Sequence, residues 1–324
     1  MKKLRVLFIL VIALVLAFSI TACAQETTPT SDTDTSTADA ITPAVTVDIT
    51  HDRSGLPITL PEEINTIISM GPGITEIIAA LGFADKIIAI DAFSYDVPGL
   101  STGLPQFDMM APDGERLLAL MPDAIFITGW DQGVGATDPY RLLSDAGVTV
   151  IFIPTSDSIA GIQEDIIFVG AVLGAEDRAK EIVAAMQAEI DEFRAIGETI
   201  TQRRTVYFEL SPAPWMISFG EGTFLHEMLV IIGAENAFAD LENWTTLSDE
   251  IILAADPDVI LTSVNFIDNP IEEIKSRPGW SVLYAVENDR IFEIDTNASN
   301  RPSHNIVIAM REMAVAIYPE YFGN

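Results

Sequence analysis

Three groups of residues in this 324-residue chain have types and spacings that could do chemistry. The first is a pair of glutamates, Glu115 and Glu250. Each stands seven residues before a Pro-Asp, at Pro122-Asp123 and Pro257-Asp258. Asp113 and Ser248 are placed to cap the helices that would hold them, so both carboxylates fall in first turns, where the helix dipole favours negative charge. That is a structural reason for both. Two carboxylates could also serve glycoside hydrolysis if they converged on one cleft. The second group is apolar and largely aromatic. Phe93 and Tyr95 lie in the loop Asp91–Leu100, and Trp130 follows a strand. Phe208 and Trp215 flank Ser211-Pro-Ala-Pro214, Trp244 lies four residues before Ser248, and Met109 sits in the loop before Glu115. Beyond the carboxyl ends of strands in an open α/β sheet, such side chains would offer a flat apolar surface to a large ring system. Each could equally pack on its own part of the fold. The third group is the polar run Asp295-Thr-Asn297-Ala-Ser-Asn-Arg301-Pro-Ser-His304. Arg301 could contact a ligand or form an ordinary salt bridge in so acidic a chain. His304 could ligate a metal or simply border the last helix.

Alternating β-runs and helices must position these residues. Thr66–Met70, Lys86–Ile90, Ala124–Thr128 and Thr149–Ile153 read as strands, and Ile74–Leu81 reads as a short helix. The alternation resumes with Thr205–Leu210, Val259–Thr262 and Arg290–Ile294. This is the pattern of α/β layers with mostly parallel strands. Between the two series, Ala179, Ile182, Val183, Met186, Ile190, Phe193 and Ile196 recur at steps of 3 and 4. That period predicts an amphipathic helix from Glu176 to Ile196, a stiff strut of about 30 Å between Gly174 and a terminating Gly197.

The flanks repeat. Glu115–Thr128 and Glu250–Ser263 share the Glu, the apolar helix, the Pro-Asp turn and the β-run that follows. Thr75-Glu76 through Gly82 and His226-Glu227 through Gly233 make a second pair in the same order. Two lobes of one design are expected.

The start of the chain has another purpose. Lys2, Lys3 and Arg5 precede the apolar run Val6–Ile20, which ends in Ile20-Thr21-Ala22-Cys23. This tetrapeptide resembles a bacterial lipobox, which implies a signal peptide over 1–22 and a lipid on Cys23. Residues 23–44 are rich in Thr, Ser, Asp and Ala and read as a flexible tether. The folded part is expected as an N-terminal lobe over 45–157, a helical segment over 158–200 that includes the strut, and a C-terminal lobe over 201–324.

The net charge is −31, and losing the basic leader makes it three units more negative. Such a surface repels nucleic acid and anionic lipid, so neither is an expected partner. One cysteine permits no internal disulfide and no cysteine-based metal site. There is no Gly-x-Ser-x-Gly, no His-Glu-x-x-His and no phosphate loop, so no enzyme activity and no resident cofactor are expected.

From about Val45 to Phe322 the chain resembles the substrate-binding proteins of bacterial ABC importers for iron-siderophores, haem and vitamin B12. Four runs carry the resemblance: Pro72-Gly-Ile-Thr-Glu-Ile, Gly114-Glu-Arg-Leu-Leu-Ala-Leu-Met-Pro-Asp, Gly233-Ala-Glu-Asn-Ala-Phe and Ser248-Asp-Glu-Ile-Ile-Leu-Ala-Ala-Asp-Pro-Asp. The resemblance implies the helical-backbone periplasmic-binding-protein fold: two α/β lobes with mostly parallel sheets, joined by one long rigid helix, with ligand between them. It implies that Glu115 and Glu250 dock on permease arginines. Corrinoid binders of the family place aromatics at positions matching Phe93, Phe208, Trp215 and Trp244, and an arginine matching Arg301. The sequence departs from them at Met109, where one such protein has an aromatic, and at Asn297, where an Asp is found. The implied protein is a monomeric, lipid-anchored, extracytoplasmic receptor that passes cobalamin or a related corrinoid to a permease and its ATPase. A ferric siderophore or haem is the second ligand class. A cell-surface glycan-active enzyme and a sensor or adhesion protein are readings of other classes.

Overall fold

A computed structural model describes residues 47–129 and 138–323. Two parallel sheets dominate. The first, ordered β3-β2-β1-β4-β5, contains β1 (Ile67–Met70), β2 (Ile87–Asp91), β3 (Gln106–Phe107), β4 (Ala124–Gly129) and β5 (Thr149–Pro154). Its helices are α1 (Pro72–Ala80), α2 (Gly114–Leu118) and α3 (Arg141–Asp145). The chain then runs through α4 (Ile159–Leu173) and α5 (Glu176–Gly197) into β6 (Thr205–Glu209). The second sheet is ordered β11-β10-β6-β8 and also uses β8 (Glu235–Asn236), β10 (Val259–Thr262) and β11 (Ile291–Glu293). A small antiparallel pair, β7 (Ile217–Phe219) and β9 (Trp244–Thr246), stands beside it. The remaining helices are α6 (Phe224–Ile231), α7 (Asp249–Ala255), α8 (Pro270–Ser276), α9 (Tyr284–Glu287), α10 (Thr296–Asn300), α11 (Ile306–Ile317) and α12 (Pro319–Phe322).

The inner strands β1, β4, β6 and β10 are buried on both faces over most of their length, as parallel strands under helices must be. Side chains alternate between two cores because the strand period is two. In β4, Ala124 and Phe126 enter a large core shared by both lobes, while Ile125 and Ile127 enter a smaller core of the first lobe. In β6, Val206 and Phe208 face the shared core and Tyr207 faces the second lobe's own.

The expected strut is α5, with Ala179, Ile182, Met186, Ile190 and Phe193 buried in the shared core. Glu176 and Asp177 in its first turn and Arg194 in its last suit the helix dipole. Helix α4 packs antiparallel against it, and Gln163 Nε2 donates to Gln187 Oε1 at 2.9 Å. Gly174 takes a left-handed φ of 70° and ends α4. Gly197 does not end α5 in that way, and Glu198 is the C-cap with a right-handed φ. Gly197 is a point of close approach instead: a Cβ there would lie 2.2 Å from the Ile231 carbonyl oxygen at the end of α6.

Both Pro-Asp repeats build the same clamp. Asp123 Oδ2 accepts from the Thr66 N–H at 2.9 Å and its hydroxyl at 3.0 Å, and Thr66 Oγ1 accepts from the Asp123 N–H at 3.0 Å. Asp258 Oδ2 accepts from the Thr205 N–H at 2.8 Å and its hydroxyl at 3.0 Å, and Thr205 Oγ1 accepts from the Asp258 N–H at 3.1 Å. Each clamp fixes the start of a central strand to its neighbour. The carboxyl ends of the strands, and the loops beyond them, are thereby held in register.

Candidate ligand-binding and docking site

The loop after β2 is pinned from beneath. Asp91 Oδ1 accepts from the Phe93 N–H at 2.8 Å, and the Ser94 hydroxyl donates to the other carboxylate oxygen. Burial pushes the Asp91 carboxyl up, against the pull of Ser94, the Phe93 N–H and Arg301. With its base fixed, the loop turns Phe93 and Tyr95 outward, 58% and 69% exposed. Beyond β6, the Leu210 N–H donates to the Ile217 carbonyl at 2.9 Å and the Ile217 N–H to the Ser211 carbonyl at 3.2 Å. This closes a turn whose tip carries Trp215, 70% exposed.

The other predicted rings sit differently. Phe208 lies within β6 rather than beyond it and is 1% exposed. Its ring centroid is 5.7 Å from that of Phe219, and Trp244 packs half-buried between Phe219 and Phe224 at 6.2 and 6.1 Å. Met109 is half-buried against the first lobe's own core. Trp130 lies outside the described residues, as does Cys23.

Arg301 and Asn297 join the lobes. Arg301 Nη1 donates to Glu76 Oε1 at 2.9 Å, and Nη2 donates to Asp96 Oδ1 at 2.8 Å and to the Phe93 carbonyl at 2.7 Å. Asn297 Nδ2 donates to Asp96 Oδ2 at 2.6 Å. The hydroxyl of Ser303 and the amide of Asn305 also donate to Glu76. Burial pushes the Asp96 carboxyl up, but the hydrogen bonds from Arg301 and Asn297 outweigh it and hold the group below the ordinary carboxylate value. Arg301 is thus surrounded by Glu76, Asp96 and, further in, Asp91, so its charge is already matched by acids. His304 borders α11, which Asn305 rather than His304 caps, and its buried Nδ1 has no partner among the described residues. Burial holds the ring's pKa below the ordinary histidine value. Among the described residues no cluster of His, Cys, Asp and Glu is arranged to hold a metal ion.

Glu115 and Glu250 are exposed in the first turns of α2 and α7. Asp113 caps α2, accepting from the Arg116 N–H at 3.1 Å. Ser248 stands at the N-cap of α7 but its side chain makes no cap bond. Its hydroxyl instead helps hold the Glu250 carboxyl below its ordinary value, together with a backbone N–H. Asp249, next to Glu250, accepts from the Trp280 indole at 2.7 Å. The two glutamates stand at equivalent places in the repeat, one per lobe.

The family model for periplasmic binding proteins matches residues 67–298, which span most of both lobes. The chain belongs to the periplasmic binding protein family. Periplasmic binding proteins of this kind are the substrate-binding components of ABC importers and act in transport. The chain is 30% identical over 283 residues to an uncharacterized ABC transporter substrate-binding lipoprotein of Bacillus subtilis, covering 86% of this chain and 87% of that one. It is 26% identical over 278 residues to a cobalamin-binding protein of Halobacterium salinarum, covering 82% and 73%. The crystal structure of a possible iron-binding, periplasmic solute-binding protein from Staphylococcus epidermidis superposes with a TM-score of 0.69 at 28% identity, covering 79% and 100%.

In this periplasmic binding protein the loop rings Phe93, Tyr95 and Trp215 can stack on or border an apolar ligand face. No helix among the described residues is long and apolar enough to cross a membrane. Two features gave little sequence signal. The partners of Arg301 lie 205 and 225 residues away, beyond any local pattern. Phe266, 68% exposed in the loop after β10, follows the second copy of the repeat as Trp130 follows the first, and that parallel was its only mark.

Proposed function

We propose that this periplasmic binding protein takes up cobalamin or a related corrinoid and delivers it to an ABC permease. The observation that carries the ligand class is the exposure of Phe93, Tyr95 and Trp215 beyond strand ends, with the Phe93 loop held by an arginine whose charge Glu76 and Asp96 already match. A large, mostly uncharged ring system gains from such rings by apolar burial and stacking. Arg301, already paired with Glu76 and Asp96, offers little free charge to an anionic chelate. The similarity to the Halobacterium cobalamin-binding protein supports the same class. A ferric chelate or haem is the second reading, favoured by the likeness to the possible iron-binding protein of Staphylococcus epidermidis.

In this proposal Phe93, Tyr95 and Trp215 touch the ligand, with Met109 and Trp130 on the side of the first lobe. Phe208 and Trp244 back the wall from within, and Arg301 and Asn297 hold the Phe93 loop against the second lobe. Glu115 and Glu250 register the two lobes on the permease. Cys23 carries a lipid that keeps the monomer at the outer face of the cell membrane, with residues 23–44 as the tether. The lobes correspond to 45–157 and 201–324, with 158–200 between them.

Mass spectrometry of ligand retained by the purified protein, followed by titration with cyanocobalamin, haemin and a ferric siderophore, tests the reading. Tight binding of cyanocobalamin over the other two is expected. Preference for haemin or the siderophore would move the protein to the second class, and binding of none would remove the reading.

A further inference from the structure

The four most exposed aromatic side chains among the described residues are Phe93, Tyr95, Trp215 and Phe266, at 58, 69, 70 and 68%. The next, Tyr284 and Tyr321, are both 43% exposed and sit on short helices. Single exposed apolar residues are common on any surface. A restriction of the most exposed rings to loops beyond the carboxyl ends of parallel strands is not. Those ends are where open α/β sheets bind ligands.

Phe266 follows an inner strand of the second sheet. β10 lies between β11 and β6 in the second sheet, so its loop stands between the Trp215 turn and the segment entering α10. The base of this loop is locked. The Ser263 N–H donates to the Glu209 carbonyl at 3.1 Å, and the Val264 N–H donates to Thr262 Oγ1 at 3.2 Å. Thr296 Oγ1 of α10 donates to the Ser263 carbonyl at 2.6 Å. Ser263 and Val264 are 2% exposed, and two residues later the chain turns Phe266 outward, 68% exposed. The same α10 carries Asn297, which bonds Asp96 in the loop of Phe93 and Tyr95. The Phe266 loop and the Phe93–Tyr95 loop are therefore fastened, from opposite lobes, to one short helix.

We propose that Phe266 is a ligand-contacting, specificity-determining residue that faces a flat macrocyclic ligand from the second lobe. Nothing in its own lobe needs the ring, because it is mostly in water. Its loop is anchored before the ligand arrives, so little ordering is left to oppose binding. The proposal rests on the functional reading above.

The test is titration of the purified protein with cyanocobalamin, haemin and a ferric siderophore, using wild type, Phe266→Ala, Phe266→Trp and the control Tyr284→Ala. With whichever probe the wild type binds, Phe266→Ala should weaken binding roughly two- to tenfold, the loss expected for one aromatic contact. Phe266→Trp should restore it, Tyr284→Ala should bind as wild type, and melting of Phe266→Ala should be unchanged. Wild-type affinity in Phe266→Ala would overturn this assignment while leaving the functional reading standing. Full binding with reduced cellular uptake would place Phe266 on the permease face and overturn it as well. Failure of wild type to bind all three probes would overturn the functional reading and this inference with it.

Discussion

Glu76 and Glu227, at matching places in two repeated helices, each accept a hydrogen bond at the start of a helix that follows the last strand of the opposite sheet. Glu76 Oε2 accepts from Asn305, the N-cap of α11, at 2.9 Å, and Glu227 Oε2 accepts from the Ile159 N–H of α4 at 2.8 Å. Each lobe thus lends a carboxylate to a helix that lies beyond the other sheet. Arg301 reinforces one side of this arrangement and α5 spans the junction.

Arg301→Ala should be strongly destabilising. It leaves Glu76, 5% exposed, with no cation, and breaking a buried pair from one side costs about 3–5 kcal/mol. Thermal melting would show the loss, and Arg301→Lys should recover only part of it because a single ammonium cannot reproduce the fork. Scattering profiles of free and loaded wild type should differ little, since an unbroken helix bends less than a loop hinge. An Arg301→Ala protein that melts like wild type would show that the pair holds nothing together.

Asp96 makes the contact between Arg301, Asn297 and the Phe93 loop acid-sensitive. Its folded carboxyl lies below the ordinary value of 3.8, so the unfolded chain binds its proton first as pH falls. The stabilisation is full above that value and is lost as pH drops through the folded one. Asp91 has the opposite sign, because burial raises its carboxyl and ionising it opposes folding. Comparing melts of wild type and Asp96→Asn from pH 7 to 3 isolates Asp96. The variant should be less stable at neutral pH, and the gap should narrow toward pH 3. A gap constant with pH would assign the effect to shape rather than charge.

Trp215→Ala and Trp244→Ala should separate binding from stability. Trp215 is 70% exposed, so its loss should leave melting within about 0.5 kcal/mol of wild type and weaken cyanocobalamin binding several-fold. Trp244 packs on Phe219 and Phe224, so its truncation should cost up to about 3 kcal/mol. Titration and melting on the same two variants decide it, and identical behaviour of the pair would count against the assignment.

Glu115 and Glu250 should matter only to transport. Both are exposed, so either alanine variant should keep its ligand affinity and lose uptake, with the double variant worse. Reversal of both to Arg should be worst, because like charges would then meet across the permease interface. Full uptake by the Glu115→Arg, Glu250→Arg protein would end the docking hypothesis.

Much of the fold was legible because its signals are periodic. The 3–4 spacing marked α5 to within one residue of Glu176–Gly197, and the Pro-Asp repeats marked the turns into β4 and β10, although not the clamps that tie them to Thr66 and Thr205. The site was less legible. Phe208 and Trp215 look alike in composition, yet one lies inside β6 and the other beyond it, and only a ring beyond the strand can reach solvent at that edge. Gly197 shows the same limit. A glycine after a helix reads as a terminator, whereas here a neighbouring carbonyl 2.2 Å from any added Cβ is what demands it. Arg301 could be read as a ligand contact or a salt bridge, and its acids were not visible locally because they lie 205 and 225 residues away.

The shared core has a consequence for how the molecule comes apart. Residues from both lobes, from Ile74 and Phe126 to Phe224 and Met310, bury one another in a single cluster. The covalent link Glu198–Arg204, between α5 and β6, adds no burial comparable to that surface. A protease cut in this linker would yield two peptides that stay together as a split protein. Neither half could leave without exposing the surface that the other covers.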